Sequence, residues 1–166
     1  RKLVQDGAFL LFGPVEGGPS TAVMKVAAET RVPLFGPMAG PPTLRRPFQD
    51  MVFPVRAEHR EEFRALMAYA RTLGMKSVGF FHADSDGGRL HVTNVQAIAK
   101  ELGLEVRTLL PFKPDASDEQ IDAMVAQLGR ERPDMLFNHG SAGLYQKLVA
   151  KIRSTVGTDK VLLGLS

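Results

Sequence analysis

The chain has 166 residues, 44% of them hydrophobic and 23% charged, with no cysteine and a formal net charge of +3. This is the composition of a folded globular protein; it excludes disulfides, thiolate catalysis and Cys-based metal sites, and no apolar run reaches the roughly 18 residues a membrane-spanning helix needs. The basic excess lies in residues 1–56, with seven Lys/Arg against four Asp/Glu, while residues 57–166 hold fourteen of each. Apart from Arg45-Arg46 the basic residues are scattered and not interleaved with aromatics, which argues against a nucleic-acid partner.

Arg1-Lys2-Leu3-Val4 reads as the end of a helix, so the chain is expected to be cut from something longer, with any targeting segment outside it. The tetrapeptide Leu-Phe-Gly-Pro then occurs twice, at 11–14 and 34–37. Each copy ends a short apolar run, Ala8–Phe12 or Val32–Phe35, and opens into small residues. Unalternated runs of this length read as strands covered on both faces. Between them Ser20 is the expected N-cap of a helix to about Thr30, with Ala22, Val23, Val26 and Ala27 inward. Pro41, Pro42 and Pro47 forbid a long regular element and leave a short turn near Thr43–Arg45. Met51–Val55, interrupted by Pro54, reads as an edge strand.

A helix is predicted from Glu58 to Leu73 with Phe63, Leu66, Met67 and Ala70 on one face. A strand Ser77–His82 leads into the loop Ala83–Gly88, and a helix Arg89–Leu102 turns Val92, Val95, Ile98 and Ala99 inward. Leu104–Leu110 is a strand, Ser117-Asp-Glu-Gln120 a capping box for a helix through Leu128, and Met135–Asn138 a strand. His139–Gly143 is another small-residue loop, followed by a helix Leu144–Ser154 and a strand Val161–Gly164. Alternation of strand and helix implies α/β architecture with parallel sheets flanked by helices. The break at Pro41–Glu58 places a boundary there, giving 1–56 and 57–166 as the two lobes, with the chain crossing near 55–60.

No catalytic constellation emerges. Gly13–Gly18 is neither G-x-G-x-x-G nor a P-loop. His139-Gly-Ser141-Ala-Gly143 lacks the first glycine of a nucleophile elbow, and no histidine follows Ser141. His59, His82, His91 and His139 show no i, i+4 pairing, and Asp84/Asp86 lack the later glutamate of a calcium loop. His82, Asp84 and Asp86 read either as polar site residues or as a strand end followed by an acidic helix cap. What remains is a set of small-residue loops at helix N-termini. Their exposed N–H groups and the positive end of the helix dipole suit a carboxylate, and glycine lets a ligand approach the main chain. No enzyme, metal site or cofactor is expected.

Phe9-Leu-Leu-Phe-Gly13-Pro-Val, Ala22–Glu29, Val32-Pro-Leu-Phe-Gly36-Pro37, Leu44-Arg45 and Phe53-Pro-Val-Arg56 resemble the branched-chain amino-acid-binding class of periplasmic solute-binding proteins of ABC transporters. Lys76–His82, Gly88-Arg89, Gly103-Leu-Glu-Val106 and Arg132-Pro-Asp134 extend the resemblance to the second half. The resemblance implies a type I periplasmic-binding fold, of which this chain would be part of the first lobe and most of the second. It implies a periplasmic or other extracytoplasmic, membrane-associated receptor that closes over a small carboxylate-bearing ligand in an interlobe cleft and delivers it to an ABC permease. A ligand-sensing regulator of the same fold is the alternative.

The same resemblance assigns ligand-binding positions. The first loop maps to Gly17, with Gly18, Pro19 and Ser20 beside it, and the second to Met38, Ala39 and Gly40. The aromatic position before the family's glycine falls at Gly87, next to Asp86. The second-lobe loop maps to His139, Ser141 and Ala142, and the last polar contact falls near Ser166. Gly17 lacks the family's hydroxyl, Gly40 its threonine and Gly87 its ring. A roomier site is expected, for an aromatic acid, an amide or another organic acid instead of leucine.

Overall fold

A computed structural model of the protein describes residues 1–139, 142–156 and 161–165. The chain separates into two compact units, Arg1–Glu62 and Phe63–Ser166, with the division inside the helix His59–Thr72. The architecture is α/β with parallel sheets flanked by helices. Among the described residues no helix is long and apolar enough to cross a membrane.

In the first unit a short helix, α1 (Lys2–Gln5), precedes strands β1 (Leu11–Phe12), β2 (Leu34–Phe35) and β3 (Val52–Phe53), which lie parallel in that order. Leu11, Leu34 and Val52 are register partners on one face. Helix α2 (Gly17–Thr30) lays Ala27, with Val23 and Met24, against them, and Ala39 and Leu44 complete the small core. Leu44 ends a 3-10 turn at Pro42–Leu44, close to where the prolines place one.

Two expectations need correction here. Only the last two residues of Ala8–Phe12 and of Val32–Phe35, and Val52–Phe53 within Met51–Val55, form ladder. Helix α2 begins three residues before Ser20, with Glu16 as N-cap. Gly17-Gly18-Pro19 can open a helix because the leading N–H groups of a first turn have no helical partner, so the proline's missing donor costs nothing there. Ser20 is therefore helical, not a cap, and its buried hydroxyl donates to the Pro14 carbonyl at 3.3 Å. Ala22 is exposed and Met24 turns inward in its place.

The second unit holds four parallel strands, β4 (Ser77–Ala83), β5 (Glu105–Phe112), β6 (Met135–His139) and β7 (Val161–Leu165), in the order β5-β4-β6-β7. Helices α3 (His59–Thr72) and α4 (Asp86–Leu102) cover one face, with Phe63, Met67, Ala70, Val95, Ile98 and Ala99 packed on Val78, Phe80, Met135 and Phe137. Helices α5 (Asp118–Glu131) and α6 (Ala142–Thr155) cover the other through Ile121, Val125, Leu128, Leu144, Leu148 and Ile152. Alternate residues along β4, such as Phe80 and Phe81, thus enter different cores, which is why these strands read as continuous apolar runs. The Ser117/Gln120 capping box forms as read. At the strands' starting edge Asp134 accepts from the Lys76 and Ser77 amides and the Ser77 hydroxyl at 2.8–2.9 Å, tying β4 to the turn before β6.

Helix α4, like α2, starts earlier than predicted. Ser85 is its N-cap, accepting from the Gly88 amide at 3.1 Å, and Asp86–Gly88 form the first turn. Gly88 packs so closely on the end of β4 that a Cβ there would run into the Ala83 carbonyl oxygen. Glycine at 88 is what lets the helix begin flush against the strand.

Candidate functional site

In open α/β sheets ligands bind outside the carboxyl ends of the strands, at the point where strand order reverses. In the second unit the chain moves from β4 outward to β5, then returns to the other side of β4 as β6. The reversal lies between β4 and β6, whose last register partners toward the carboxyl edge are His82 and His139. The fold thus gathers His82, the first turn of α4 and His139 at this edge, and α6 starts three residues after His139.

His82 is buried, stacks on Phe80 and has Nδ1 at 3.0 Å from the Ala83 carbonyl oxygen. Asp86 and Gly87 are exposed. Arg89 donates to Asp86 at 2.6 Å and to Asp84 at 3.3 Å, so these acidic groups are ion-paired around the start of α4. His139 is half-buried at the tip of β6. Its ring meets that of His91, from the buried side of α4, edge to face at 4.2 Å between centroids. Forty-eight residues separate the two in sequence, so no spacing rule could pair them. Ser141 and Ser166 lie outside the described residues.

The first unit carries its own edge. The first turn of α2 brings the Gly17 and Gly18 amides to the carboxyl end of the β1–β2 ladder, and Met38, half exposed, follows β2. Ala39 and Gly40 are buried. Their loop is fastened from several sides. The Met38 amide donates to the Pro14 carbonyl at 3.0 Å and the His59 amide to the Gly40 carbonyl at 3.1 Å. The Arg45 guanidinium donates to the carbonyls of Ala39, Pro41 and Arg56. The His59 ring sits where a side chain at Gly40 would be, with Nδ1 2.6 Å from the position of a Cβ. A side chain at 40 would collide with that ring, so glycine is the residue that fits there.

Arg56 holds Glu62 through two hydrogen bonds, at 2.7 and 3.1 Å, and Glu62 faces His59 Nδ1 at 3.2 Å. Burial pushes the Glu62 carboxyl up, but the hydrogen bonds from Arg56 and His59 outweigh it and leave it below its ordinary value. Burial lowers His59, against the opposing pull of Glu62. The neutral ring then donates from Nδ1 to the Glu62 carboxylate, an orientation that carboxylate partners commonly impose on histidine. This histidine–glutamate pair escaped the sequence reading; its only trace is the i, i+3 spacing of 59 and 62 at a helix start.

The sequence pattern of the periplasmic binding protein family matches residues 1–165. Among solved structures, a substrate-binding periplasmic protein from Ralstonia solanacearum is 24% identical with a TM-score of 0.80, over 97% of this chain and 45% of its own. An ABC-transporter solute-binding protein from R. palustris, in complex with benzoate, is 22% identical with a TM-score of 0.81, over 98% of this chain and 45% of its own. A leucine-binding protein from Thermotoga maritima is 20% identical with a TM-score of 0.81, over 99% and 46%. The chain therefore spans less than half the length of these structures. No match was found among curated proteins.

Proposed function

Because the chain belongs to the periplasmic binding protein family, whose solved relatives are solute-binding proteins and not enzymes, we propose that it is part of an extracytoplasmic receptor. This receptor takes up a small carboxylate-bearing solute in the periplasm and passes it to an ABC permease. The observation that carries the ligand class is the start of α2. Two glycine amides lead a helix at the carboxyl end of a parallel sheet, and the adjacent hydroxyls of Ser20 and Thr21 are committed to the Pro14 and Gly17 carbonyls. Recognition through main-chain donors and the helix dipole suits an anion and places few demands on the rest of the solute. Gly18 leaves open space beside its amide, so the site favours a flat aromatic or other organic acid over leucine. The benzoate held by the R. palustris relative belongs to that class.

The test is a thermal-shift screen of the complete protein with benzoate, hydroxybenzoates, leucine and other small solutes. A solute that binds only the folded state stabilises it by about 2.7 kcal/mol at a hundred times its Kd. The expected result is stabilisation by an aromatic or organic acid, weakened at least tenfold by Gly18→Pro, which removes one of the two leading amides. Tight binding of leucine, or no response to any acid, overturns the reading.

A further inference from the structure

We propose that His91 and His139 form a binding site for a borderline transition-metal ion of the Zn²⁺ or Ni²⁺ type, a ligand class that the solute-binding reading above does not include. The two imidazoles come from rigid elements, α4 and the last residue of β6. Their centroids are 4.2 Å apart at 69°, and each offers a ring nitrogen within 4.8 Å of the other's. A metal–imidazole bond is about 2.0–2.1 Å long, so a small rotation of either ring brings both nitrogens onto one ion.

The surroundings suit such a pair. The Phe63 ring packs edge-on against both imidazoles, at 5.6 Å from His91 and 6.1 Å from His139. His91 is 8% exposed and lies beside the core that contains Phe80 and Phe137. His139 is half-buried at the carboxyl edge of the sheet, which gives the ion a way in. Imidazole donors suit zinc, nickel and copper; calcium and magnesium prefer oxygen. Water supplies the remaining positions.

His82 provides the internal contrast. It is the register partner of His139, yet its Nδ1 lies against the Ala83 carbonyl and its ring stacks on Phe80. It belongs to the strand end, not to the pair.

The experiment is titration of the complete, untagged, chelator-stripped protein with ZnCl2 and NiCl2 by calorimetry, with imidazole ¹⁵N shifts recorded before and after. The expected result is one equivalent of ion bound at micromolar Kd, with coordination shifts at His91 and His139. His91→Gln or His139→Gln should weaken binding at least tenfold, and His82→Gln should leave it within twofold. Absence of binding up to 1 mM ion overturns the proposal, as does undiminished binding by the His91→Gln/His139→Gln protein or loss confined to His82→Gln. The ¹⁵N measurement on the unaltered protein keeps the test decisive even where a glutamine variant folds poorly.

Discussion

Each unit carries a row of phenylalanines in register across a parallel sheet, and the two rows meet opposite fates. In the second unit Phe80 and Phe137 are partners on β4 and β6 and are wholly buried under α3 and α4. In the first, Phe12, Phe35 and Phe53 are partners across β1–β3 and remain 76%, 46% and 49% exposed. Parallel sheets are ordinarily covered on both faces. The second unit meets that condition with two helices per face; in the first, α2 and the 3-10 turn cover the Leu11–Leu34–Val52 face alone. The second unit therefore contains the means of its own stability. The first leaves a large apolar face open among the described residues, as happens where something else docks.

The sharpest way to break this comparison is to truncate both rows. Phe80→Ala should cost about 3–5 kcal/mol in urea unfolding, the usual loss for a buried phenylalanine. Phe35→Ala, half exposed, should cost under about 1 kcal/mol. Equal costs would show that the two rows are equally buried in the complete protein.

The next contrast concerns two close-packed glycines. At Gly88 the obstacle is the Ala83 carbonyl, which belongs to the main chain of β4; at Gly40 it is the His59 ring. Gly88→Ala forces strand and helix apart and should cost about 3 kcal/mol, with no single side-chain change able to relieve it. Gly40→Ala should cost about 1–2 kcal/mol, and His59→Ala should recover roughly 1 kcal/mol of that in a double-mutant cycle, since the two residues share one volume.

How far these features were readable follows from their range in sequence. Periodicity located Phe63, Met67, Ala70, Val95 and Ile98, and the capping box at Ser117 was legible because its partners lie three residues apart. The starts of α2 and α4 were misplaced because Gly17-Gly18-Pro19 and Gly87-Gly88 have poor helix propensity. Their fitness for a first turn rests on N–H groups that need no helical partner there and, at Gly88, on the close approach to the Ala83 carbonyl. The displacement of a side chain at 40 by His59 and the meeting of His91 with His139 are distant contacts without local signal.

Acid should separate the units as well. Burial holds His59 below its ordinary value of 6.5, so the unfolded chain takes up a proton near that pH while the folded one does not. Stability linked to His59 is complete above pH 6.5 and falls as pH drops below it. Glu62 is lowered too, so its contribution is lost at still lower pH, in the same direction. Native-state hydrogen exchange between pH 7 and pH 5 should show protection falling around Ala39–Gly40 and at the start of α3, while β4 and β6 change less. His59→Gln should flatten that dependence between pH 6.5 and 5.

The smallest stability effect belongs to the most exposed member of the open row. Phe12 stacks on Phe35 at 6.2 Å between centroids, an interaction worth about 0.5–1.5 kcal/mol when aromatic pairs are well packed and less where water reaches one face. Phe12→Thr keeps a residue that favours strands, and surface changes of this kind fall within about 0.5 kcal/mol. Its consequence should appear instead in the affinity of the face for apolar partners, as weaker binding of a hydrophobic dye and less self-association in light scattering. The corresponding dye signal should be unchanged by substitutions under α3 and α4 that leave the second unit folded. A loss above about 2 kcal/mol on Phe12→Thr would carry the opposite message. That magnitude belongs to a buried ring, and it would mean that in the complete protein the Phe12–Phe35–Phe53 face is covered as fully as its counterpart on β4 and β6.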